Sequence, residues 1–469
     1  MKYSRHLSGP QSTSFSFVFT TVHWTRAIFC GTEEKTIQVF ERFDFFFEKD
    51  AGFLDLALLT EKEFHPLHSL WRRLPAAPRR RGVAGLTAWL APRANRNLLP
   101  PTGTEMLIGG ELDRESGLGE GARIMLRACT ALGIPAHGVQ AGLMEGTDRP
   151  SQKLCAGRAP LVLHVNAPSL PAVLLRLGRR FVSHRRIVGY WAWELPVVPP
   201  LWRGALACVH EIWTPSAFSA RALETIAPGR VRVVPHALAA APVRPSHLDR
   251  QAFGLPADAV VTLVSFSLAS SFERKNPLAA IRSFQQAFGE RPDRFLLLKI
   301  SHAGHYPQDM ERIRAAVADA SNIRIEERLF STEDSSALTR CADIVLSLHR
   351  SEGFGLVPAE AMMLGRTVIA TDWSATAEFL SSDCGMPVSY RLIPAKDPRG
   401  VFEAKGAVWA DADIGSAVFA LRRAADNEDL RRQLGARAEH IARQHFSGME
   451  LAAAHWSLTH HAASGRDAA

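Results

Sequence analysis

The chain has 469 residues, of which 46% are hydrophobic, and its 55 basic and 47 acidic residues leave a formal net charge of +8. This length and this hydrophobic content suit two or three packed domains of ordinary size and exclude a low-complexity protein. The positive charge is diffuse, so it favours anionic ligands or a membrane surface and gives no argument for nucleic acid.

The cysteines and the apolar segments bear on the compartment. Six cysteines are scattered without a Cys-x-x-Cys pair, which indicates neither a zinc site nor a disulfide framework. No apolar run approaches the roughly 20 residues that a membrane span needs, and the aromatic run Phe15–Phe19 lacks the features of a secretory signal. We therefore expect a cytoplasmic protein, and a peripheral contact with the inner face of a membrane stays open.

Residues 1–103 form an irregular extension of unknown role. Aromatic residues concentrate in 40–47, and the stretch Arg72–Pro78 predicts a break in regular structure. The amphipathic segment Val83–Leu90, with Trp89, suits either packing on the body of the protein or contact with a membrane. The arginines near it suit a solvated linker or a contact with acidic lipid headgroups.

From residue 104 the chain alternates strand-like and helix-like segments, which predicts two doubly wound parallel sheets in series. The first series, 104–240, has predicted strands at 105–110, 161–165, 186–191, 211–213 and 231–234 and a helix at 122–132. The second series, 241–458, has predicted strands at 260–266, 295–300, 323–325 and 342–348 and helices at 277–288 and 310–320. Residues 239–245 are the predicted linker, and 459–469 form a tail.

Glu352 and Glu360 are the most informative pair of residues in the chain. Seven residues separate them, directly after the apolar strand at 342–348 and around a turn that contains Gly353, Phe354 and Gly355. Because glycine has no Cβ, backbone N–H groups here can approach a ligand closely, and the helix that follows offers its positive end to a phosphate. Carboxylates beside it accept hydrogen bonds from sugar hydroxyls, so the pattern predicts a site for a sugar phosphate.

Arg274 and Lys275 form a second motif, just after the first strand of the second series. Adjacent cations at a strand-to-helix turn can neutralise a diphosphate, the arginine by a bidentate fork and the lysine as a point charge. Such cations lower the barrier when a departing diphosphate gains charge. The alternative, a solvated basic pair beside a helix start, is weakened by the presence of the two glutamates.

These motifs, with Val368–Ser374, Glu211–Ser216 and Val233–His236, resemble the donor site of the retaining glycosyltransferases of family 4 (glycosyl transferases group 1). The resemblance spans residues 105–458. It implies the GT-B fold, an α/β class with two Rossmann-like domains facing across a cleft, and a nucleotide-sugar donor. It assigns phosphate contacts to Arg274 and Lys275, the donor sugar to Glu352, the ribose to Glu360, and backbone contacts to Gly353, Phe354, Gly355 and Leu356.

The first series adds weaker candidates. Ser116–Gly121 is a predicted turn similar to the glycine loop of the family, which makes Gly117 and Gly119 candidates for contact with donor or acceptor. His164, at a predicted strand end, suits either a hydrogen bond to substrate or proton transfer, or a satisfied structural histidine. Glu194, beside Trp191 and Trp193, suits carbohydrate, although those tryptophans equally suit core packing.

Asp411 and Asp413 resemble the Asp-x-Asp of metal-dependent glycosyltransferases, but they precede the helical run 414–425, where Asp413 is better placed as an N-cap. We expect no metal and no cofactor. The predicted function is transfer of a hexose-type sugar to a glycan or lipid-linked acceptor in cell-envelope polysaccharide biosynthesis. A nucleotide-sugar epimerase of similar fold and a non-catalytic glycan-binding protein are the alternatives.

Overall fold

The computed structural model describes residues 76–460 except 100, 102, 115, 144–156 and 403. This part of the chain contains two six-stranded parallel sheets in series, each with helices on both faces. The expected α/β class with two doubly wound domains is confirmed. The aromatic run at 40–47 and the first half of the predicted break lie outside the described residues.

The N-terminal sheet has the order β2-β1-β3-β4-β5-β6. Its strands are β1 Met106–Gly110, β2 Ala136–Gln140, β3 Leu161–Leu163, β4 Ile187–Tyr190, β5 Glu211–Thr214 and β6 Val231–Val233. In register, Leu107 of β1 lies between His137 of β2 and Leu161 of β3. Successive strands are added on opposite sides of β1, so the crevice for a ligand lies at the carboxyl ends of β1 and β3.

Helices of the N-terminal domain cover both faces of this sheet. They are α1 Ala76–Leu90, α2 Gly117–Ala131, α3 Leu170–Leu177, α4 Arg179–Val182 and α5 Ala217–Glu224, with a 3-10 helix at Pro200–Ala207. The break predicted for Arg72–Pro78 is wrong from Ala76 onward, because a proline in the first turn of a helix removes only an N–H that has no partner there. Helix α1 packs on α3 and on the 3-10 helix.

The C-terminal sheet has the order β12-β11-β10-β7-β8-β9, with its reversal between β7 and β10. Its strands are β7 Val260–Ser267, β8 Arg294–Ser301, β9 Ile323–Glu326, β10 Ile344–Ser347, β11 Thr367–Thr371 and β12 Met386–Val388. A separate antiparallel pair consists of β13 Tyr390–Pro394 and β14 Val408–Ala412. The crevice of this domain therefore lies at the carboxyl ends of β7 and β10.

The helices of the C-terminal domain follow the predicted alternation, and the predicted helix 277–288 is confirmed. They are α6 Phe272–Lys275, α7 Pro277–Phe288, α8 Pro307–Val317, α9 Thr332–Cys341, α10 Leu356–Met363, α11 Ile414–Ala425, α12 Glu428–His445 and α13 Met449–His460, with 3-10 helices at Leu268–Ser270, Ala303–His305 and Ser374–Glu378. Within the described residues, no helix combines the length and the hydropathy of a membrane span.

Helix α13 returns to the N-terminal domain. Its buried residues Leu451, Ala454 and Leu458 belong to the same apolar cluster as Met106 of β1. His455 Nε2 also lies 2.7 Å from the carbonyl oxygen of Thr104. Although α13 falls largely within the predicted second domain, 241–458, its packing joins it to the first sheet, so the two domains share a boundary that the chain crosses twice. The predicted domain limits stay predictions.

Candidate functional site

The reversal of strand order in the C-terminal sheet brings the two sequence motifs together. Strand β7 leads into the helix that carries Arg274 and Lys275, and the neighbouring strand β10 leads into the loop that carries Glu352. Because β7 and β10 are parallel, their carboxyl ends open on the same edge of the sheet. Residues that lie 77 and 78 positions apart in the chain therefore meet in hydrogen-bonding contact.

Arg274, Lys275 and Glu352 form a compact charge cluster. The Nη1 of Arg274 donates hydrogen bonds to Glu352 Oε2 at 3.0 Å and to the carbonyl oxygen of Ser351 at 2.9 Å. The Lys275 ammonium group donates to the other carboxylate oxygen of Glu352. Arg274 is only 3% exposed, so a charge there needs such partners. A cluster of this kind presents fixed charges to whatever enters the crevice.

The charges of the cluster are stabilised by one another. Burial alone would raise the pKa of Glu352, but Lys275 and Arg274 hold it well below its usual range. Burial lowers the pKa of Lys275, and Glu352 opposes that shift. Burial likewise disfavours the charged form of Arg274, but Glu352 raises its pKa above the ordinary value. At neutral pH, Glu352 is therefore an anion that two cations already engage.

Two residues with unusual backbone angles shape the turn that carries the cations. Ser271 has φ 115°, and its hydroxyl accepts a hydrogen bond from the backbone N–H of Arg274 at 3.3 Å. Asn276 has φ 52°, which asparagine tolerates better than most residues, and its amide donates to the carbonyl oxygen of Leu348 at 3.0 Å. Pro277 then begins α7, where its fixed φ suits the first helical position. The tight turn aims both cations at the crevice.

The loop after Glu352 reaches the N-terminal domain. The carbonyl oxygen of Gly353 accepts a hydrogen bond from Ser216 Oγ at 2.7 Å, and a Cβ on Gly353 would lie 3.2 Å from the carbonyl oxygen of Trp193. Phe354 is buried, with its ring 4.7 Å from that of His236. Gly353 and Phe354 therefore bring the two domains into contact, in addition to any predicted contact with a donor.

Gly355 and Leu356 mark the start of helix α10. Gly355 has φ 94°, and a Cβ there would meet Thr376 Oγ1 at 3.0 Å, so this position requires glycine. Glu360 lies on the same helix and is partly buried. Burial and the nearby Glu120 of α2 raise the pKa of Glu360 to about 7, with Arg127 opposing the shift. The second glutamate of the motif thus faces the N-terminal domain.

His164 lies just after β3, at the reversal point of the N-terminal sheet. It is 2% exposed and stacks on Tyr190 with ring centroids 4.1 Å apart. Its Nε2 lies 3.5 Å from Met125 Sδ, and its Nδ1 has no hydrogen-bond partner among the described residues. Burial, with a smaller effect of His236, lowers its pKa well below the usual range, so the ring is neutral. A contact of His164 with substrate stays a prediction.

Three residues that sequence reasoning did not single out also belong to this region. His236 is buried, which lowers its pKa to about 4, and it lies between Tyr190 and Phe354. Glu120 forms ion pairs with Arg123 and Arg127 at 2.8 and 2.9 Å. Glu378 accepts hydrogen bonds from the first two backbone N–H groups of α5, at 2.9 and 2.6 Å, and so ties the domains together. His236 and Glu120 lie within the stretches Val233–His236 and Ser116–Gly121 noted above, whereas Glu378 carries no local signal.

The predicted glycine turn Ser116–Gly121 is wrong. The Ser116 hydroxyl caps a helix by accepting from the backbone N–H of Gly119 at 3.0 Å, and Gly117 is the first residue of α2. A Cβ on Gly119 would lie 2.5 Å from the carbonyl oxygen of Glu111, whereas a Cβ on Gly117 would meet nothing within 4 Å. Gly119 is therefore explained by close packing, and a donor contact for either glycine stays a prediction.

A matched pair of substitutions separates these two glycines. Gly117→Ala should leave the free energy of unfolding unchanged or raise it by up to about 1 kcal/mol, because alanine favours the helix. Gly119→Ala should lower it by about 1–3 kcal/mol, because the helix must move away from Glu111. Urea denaturation of both variants measures the difference, and equal stabilities would contradict the packing argument.

Asp413 behaves as the sequence predicts, whereas Asp411 lies in strand β14. The Asp413 carboxylate caps α11 by accepting from the backbone N–H of Ser416 at 2.6 Å. Asp411 forms ion pairs with Arg350 and Arg391 at 3.6 and 3.2 Å. Among the described residues, no group of three or more histidine, cysteine or acidic side chains is arranged to hold a metal ion. Independence from metal stays a prediction.

The chain resembles known proteins in one domain by sequence and in both by fold. Residues 263–411, roughly a third of the chain, match the family model described as Glycosyl transferases group 1. A comparison with curated protein sequences gives no significant match. The match contains Arg274, Lys275, Glu352 and Glu360, the residues that the charge cluster and helix α10 bring to the crevice.

Three solved structures share the fold of both domains. HepE of Anabaena, in complex with UDP and glucose, has a TM-score of 0.53 and 12% identity, covering 75% of this chain and 99% of that one. Sucrose-phosphate synthase of Thermosynechococcus elongatus has a TM-score of 0.54 and 14% identity, covering 76% and 98%. A glycosyltransferase of Rickettsia africae has a TM-score of 0.50 and 12% identity, covering 76% and 97%. The protein therefore has the GT-B fold, and its C-terminal domain matches the group 1 glycosyl transferases.

Proposed function

We propose that this protein is a retaining glycosyltransferase of family 4 that moves a hexose-type sugar from a nucleotide sugar to a glycan or lipid-linked acceptor in cell-envelope polysaccharide biosynthesis. The observation that carries the proposal is the cluster of Arg274, Lys275 and Glu352 at the strand reversal of the C-terminal sheet. Two cations and a hydrogen-bonding carboxylate at such a crevice suit a diphosphate joined to a sugar.

The cations supply the main catalytic effect. When the bond between the sugar and the diphosphate breaks, negative charge grows on the departing oxygen, and we propose that Arg274 and Lys275, which Glu352 holds in place, stabilise that charge. They replace the metal ion that other transferases use to bridge the diphosphate, so we propose that the reaction needs no metal. Helix α10 begins beside the same crevice, and Glu360 on it is proposed to accept hydrogen bonds from the ribose.

Retention of configuration fits the state of Glu352. A double displacement needs a free carboxylate nucleophile, but both oxygens of Glu352 are engaged by cations, which lowers its nucleophilicity. We propose front-face displacement instead. The acceptor oxygen bonds to the anomeric carbon on the face that the diphosphate leaves, and the departing phosphate oxygen takes the acceptor's proton. Nuclear magnetic resonance of the product identifies the configuration.

A donor screen followed by a transfer assay tests the proposal. HepE of the same fold has been solved with UDP-glucose, so UDP-glucose and other UDP- and GDP-linked sugars are the first probes. A donor present at 100 times its dissociation constant should stabilise the protein by about 2.7 kcal/mol. Release of nucleotide that depends on acceptor and persists in EDTA supports the transferase. Conversion of donor without acceptor indicates the epimerase, and the absence of both binding and turnover indicates the glycan-binding alternative.

We further propose that the protein works in the cytoplasm with its N-terminal domain against an anionic membrane. The four cysteines among the described residues are free, in keeping with a reducing compartment. Between Glu63 and Glu105 the chain has seven arginines and no acidic residue. Helix α1 lies in this segment and exposes Trp89 and Leu86, which are 65% and 41% accessible. Exposed tryptophan beside arginine is the usual composition of a helix at a lipid interface.

Vesicle binding tests this contact. The wild-type protein should co-sediment with vesicles of equal parts phosphatidylglycerol and phosphatidylcholine and not with phosphatidylcholine alone. Trp89→Ala should weaken this binding about tenfold, because the indole no longer leaves water. The control is Trp456→Ala, which removes an equally exposed tryptophan from α13. Equal loss in both variants, or binding that ignores lipid charge, would contradict the assigned surface.

A further inference from the structure

Glu194 brings a carboxylate of the N-terminal domain to the charge cluster of the C-terminal domain. It follows β4 in a loop that is held firmly, since Trp193 Nε1 donates to the carbonyl oxygen of Val197 at 2.9 Å and the ring of Trp193 stacks on Phe402. The hydroxyl of Ser351 donates to the backbone carbonyl oxygen of Glu194. Glu194 Oε1 lies 3.9 Å from Arg274 Nη2, and the side chain is 19% exposed.

Neighbouring carboxylates already balance the positive charge of Arg274 before a donor binds. The charge of Arg274 faces three carboxylates, which belong to Glu352, Glu194 and Asp397, and the charge of Lys275 faces Glu352 and Glu194. A nucleotide sugar carries two further negative charges on its diphosphate, and it enters beside these carboxylates. Like charges in a partly buried site oppose one another strongly, so one carboxylate must move away or become neutral.

Glu194 is the carboxylate best suited to become neutral. Glu352 is held as an anion by two cations. Asp397 is buried, and its carboxylate is already engaged by hydrogen bonds from the backbone N–H groups of Val401 and Phe402 at 2.9 and 3.2 Å. Glu194 has the longer ion pair with Arg274, and burial together with Glu352 raises its pKa above the ordinary value, against the effects of Arg274 and Lys275.

Resting on the function proposed above, we propose that Glu194 takes up one proton from solvent when a nucleotide sugar binds and then, as the neutral acid, donates a hydrogen bond to the diphosphate. The N-terminal domain thereby contributes a donor-contacting residue. The neutral acid also removes a repulsion that would grow as charge accumulates on the departing phosphate. Donor binding is then linked to pH, and the affinity falls as the pH rises above the range in which Glu194 is protonated in the complex.

Isothermal titration calorimetry with UDP-glucose and GDP-mannose tests the proton uptake. These donors are diphosphate diesters, so the ligand keeps a constant charge between pH 6 and 8. Titrations in buffers of different ionisation enthalpy should show that the wild-type protein takes up as much as one more proton per donor than Glu194→Gln does, because any proton exchanged by Glu360 is common to both proteins. As the pH rises, the affinity of the wild-type protein should fall by up to tenfold per pH unit relative to that of Glu194→Gln.

Glu211→Gln is the matched control, because Glu211 lies at the amino end of β5 and pairs with Arg186 at 3.5 Å, away from the cluster. It should keep the wild-type proton uptake. Equal uptake in Glu194→Gln and the wild type would overturn the inference while leaving the transferase intact. No binding of any nucleotide sugar by the wild type would overturn both. If Glu194→Gln does not fold, Glu194→Ala replaces it in the same titrations.

Discussion

Replacing Lys275 by methionine should lower the rate of sugar transfer by about 100- to 1,000-fold, because the cation that faces the departing diphosphate is lost. Methionine keeps most of the length of the side chain and its packing, so the loss reports the charge. The same substitution leaves Glu352 with one cationic partner instead of two. We expect a decrease of about 1–3 kcal/mol in the free energy of unfolding from this change alone.

A second substitution separates the role of the charge in catalysis from its role in folding. In Lys275→Met with Glu352→Gln, the carboxylate that lost its partner is also neutral, so most of the stability should return. Transfer should not return, because both proposed donor contacts are gone. Arg274→Ala is a poorer probe, since Arg274 also donates to the backbone carbonyl oxygens of Ser270 and Ser351.

Turnover with a saturating donor and urea denaturation measure the two effects on the same protein samples. Lys396→Met is the control, because Lys396 is an exposed lysine of the same domain and should lose neither activity nor stability. Near-normal transfer in Lys275→Met would contradict the assignment of the cluster to the donor. Recovery of transfer in the double variant would show that the charges serve folding alone.

Much of the C-terminal domain was predictable because its strands are buried on both faces. Runs such as Val260–Ser267 and Arg294–Ser301 are nearly continuous apolar segments, and turn residues separate them from helices with apolar periodicity. The donor motifs were predictable as well, because each lies directly after one of these strands. Their meeting depends on β10 lying beside β7, and alternation of strand and helix predicts a parallel sheet without specifying this order.

Secondary structure at the edges of the domains was not predictable, because its sequence lacks continuous apolar runs separated by turn residues. Strand β2 has one buried residue, Val139, and its sequence Ala-His-Gly-Val-Gln reads as a loop. The start of α2 resembles a turn in sequence because three glycines follow one another at alternate positions, and glycine signals a turn unless close packing demands it. The contacts between the domains, such as that of Glu378 with α5, join residues about 160 positions apart and leave no local pattern.

Replacing Glu360 by glutamine should stabilise the free protein and weaken donor binding. The pKa of Glu360 is raised from an ordinary value of 4.5 to about 7, so the folded protein holds a proton more tightly than the unfolded chain does. The free energy of unfolding therefore falls as the pH rises from about 4.5 to about 7, and the loss persists above pH 7. Glutamine has no charge to bury, and we expect a gain of about 1–3 kcal/mol at pH 8.

The affinity for the donor should fall in the variant, in contrast to the stability. A carboxylate is a stronger acceptor for ribose hydroxyls than an amide is, so Glu360→Gln should weaken the binding of a nucleotide sugar about tenfold.

Urea denaturation at pH 5 and pH 8 measures the effect on stability, as a difference between variant and wild type that grows with pH. Calorimetric titration measures the effect on donor binding. Glu311→Gln, an exposed change on α8, should show neither effect. Normal donor binding by a stabilised Glu360→Gln variant would contradict the proposed ribose contact. The charge of Glu360 would then be retained for its contact with Glu120 of the N-terminal domain, because a charge that is buried at a cost in stability is otherwise kept for a ligand.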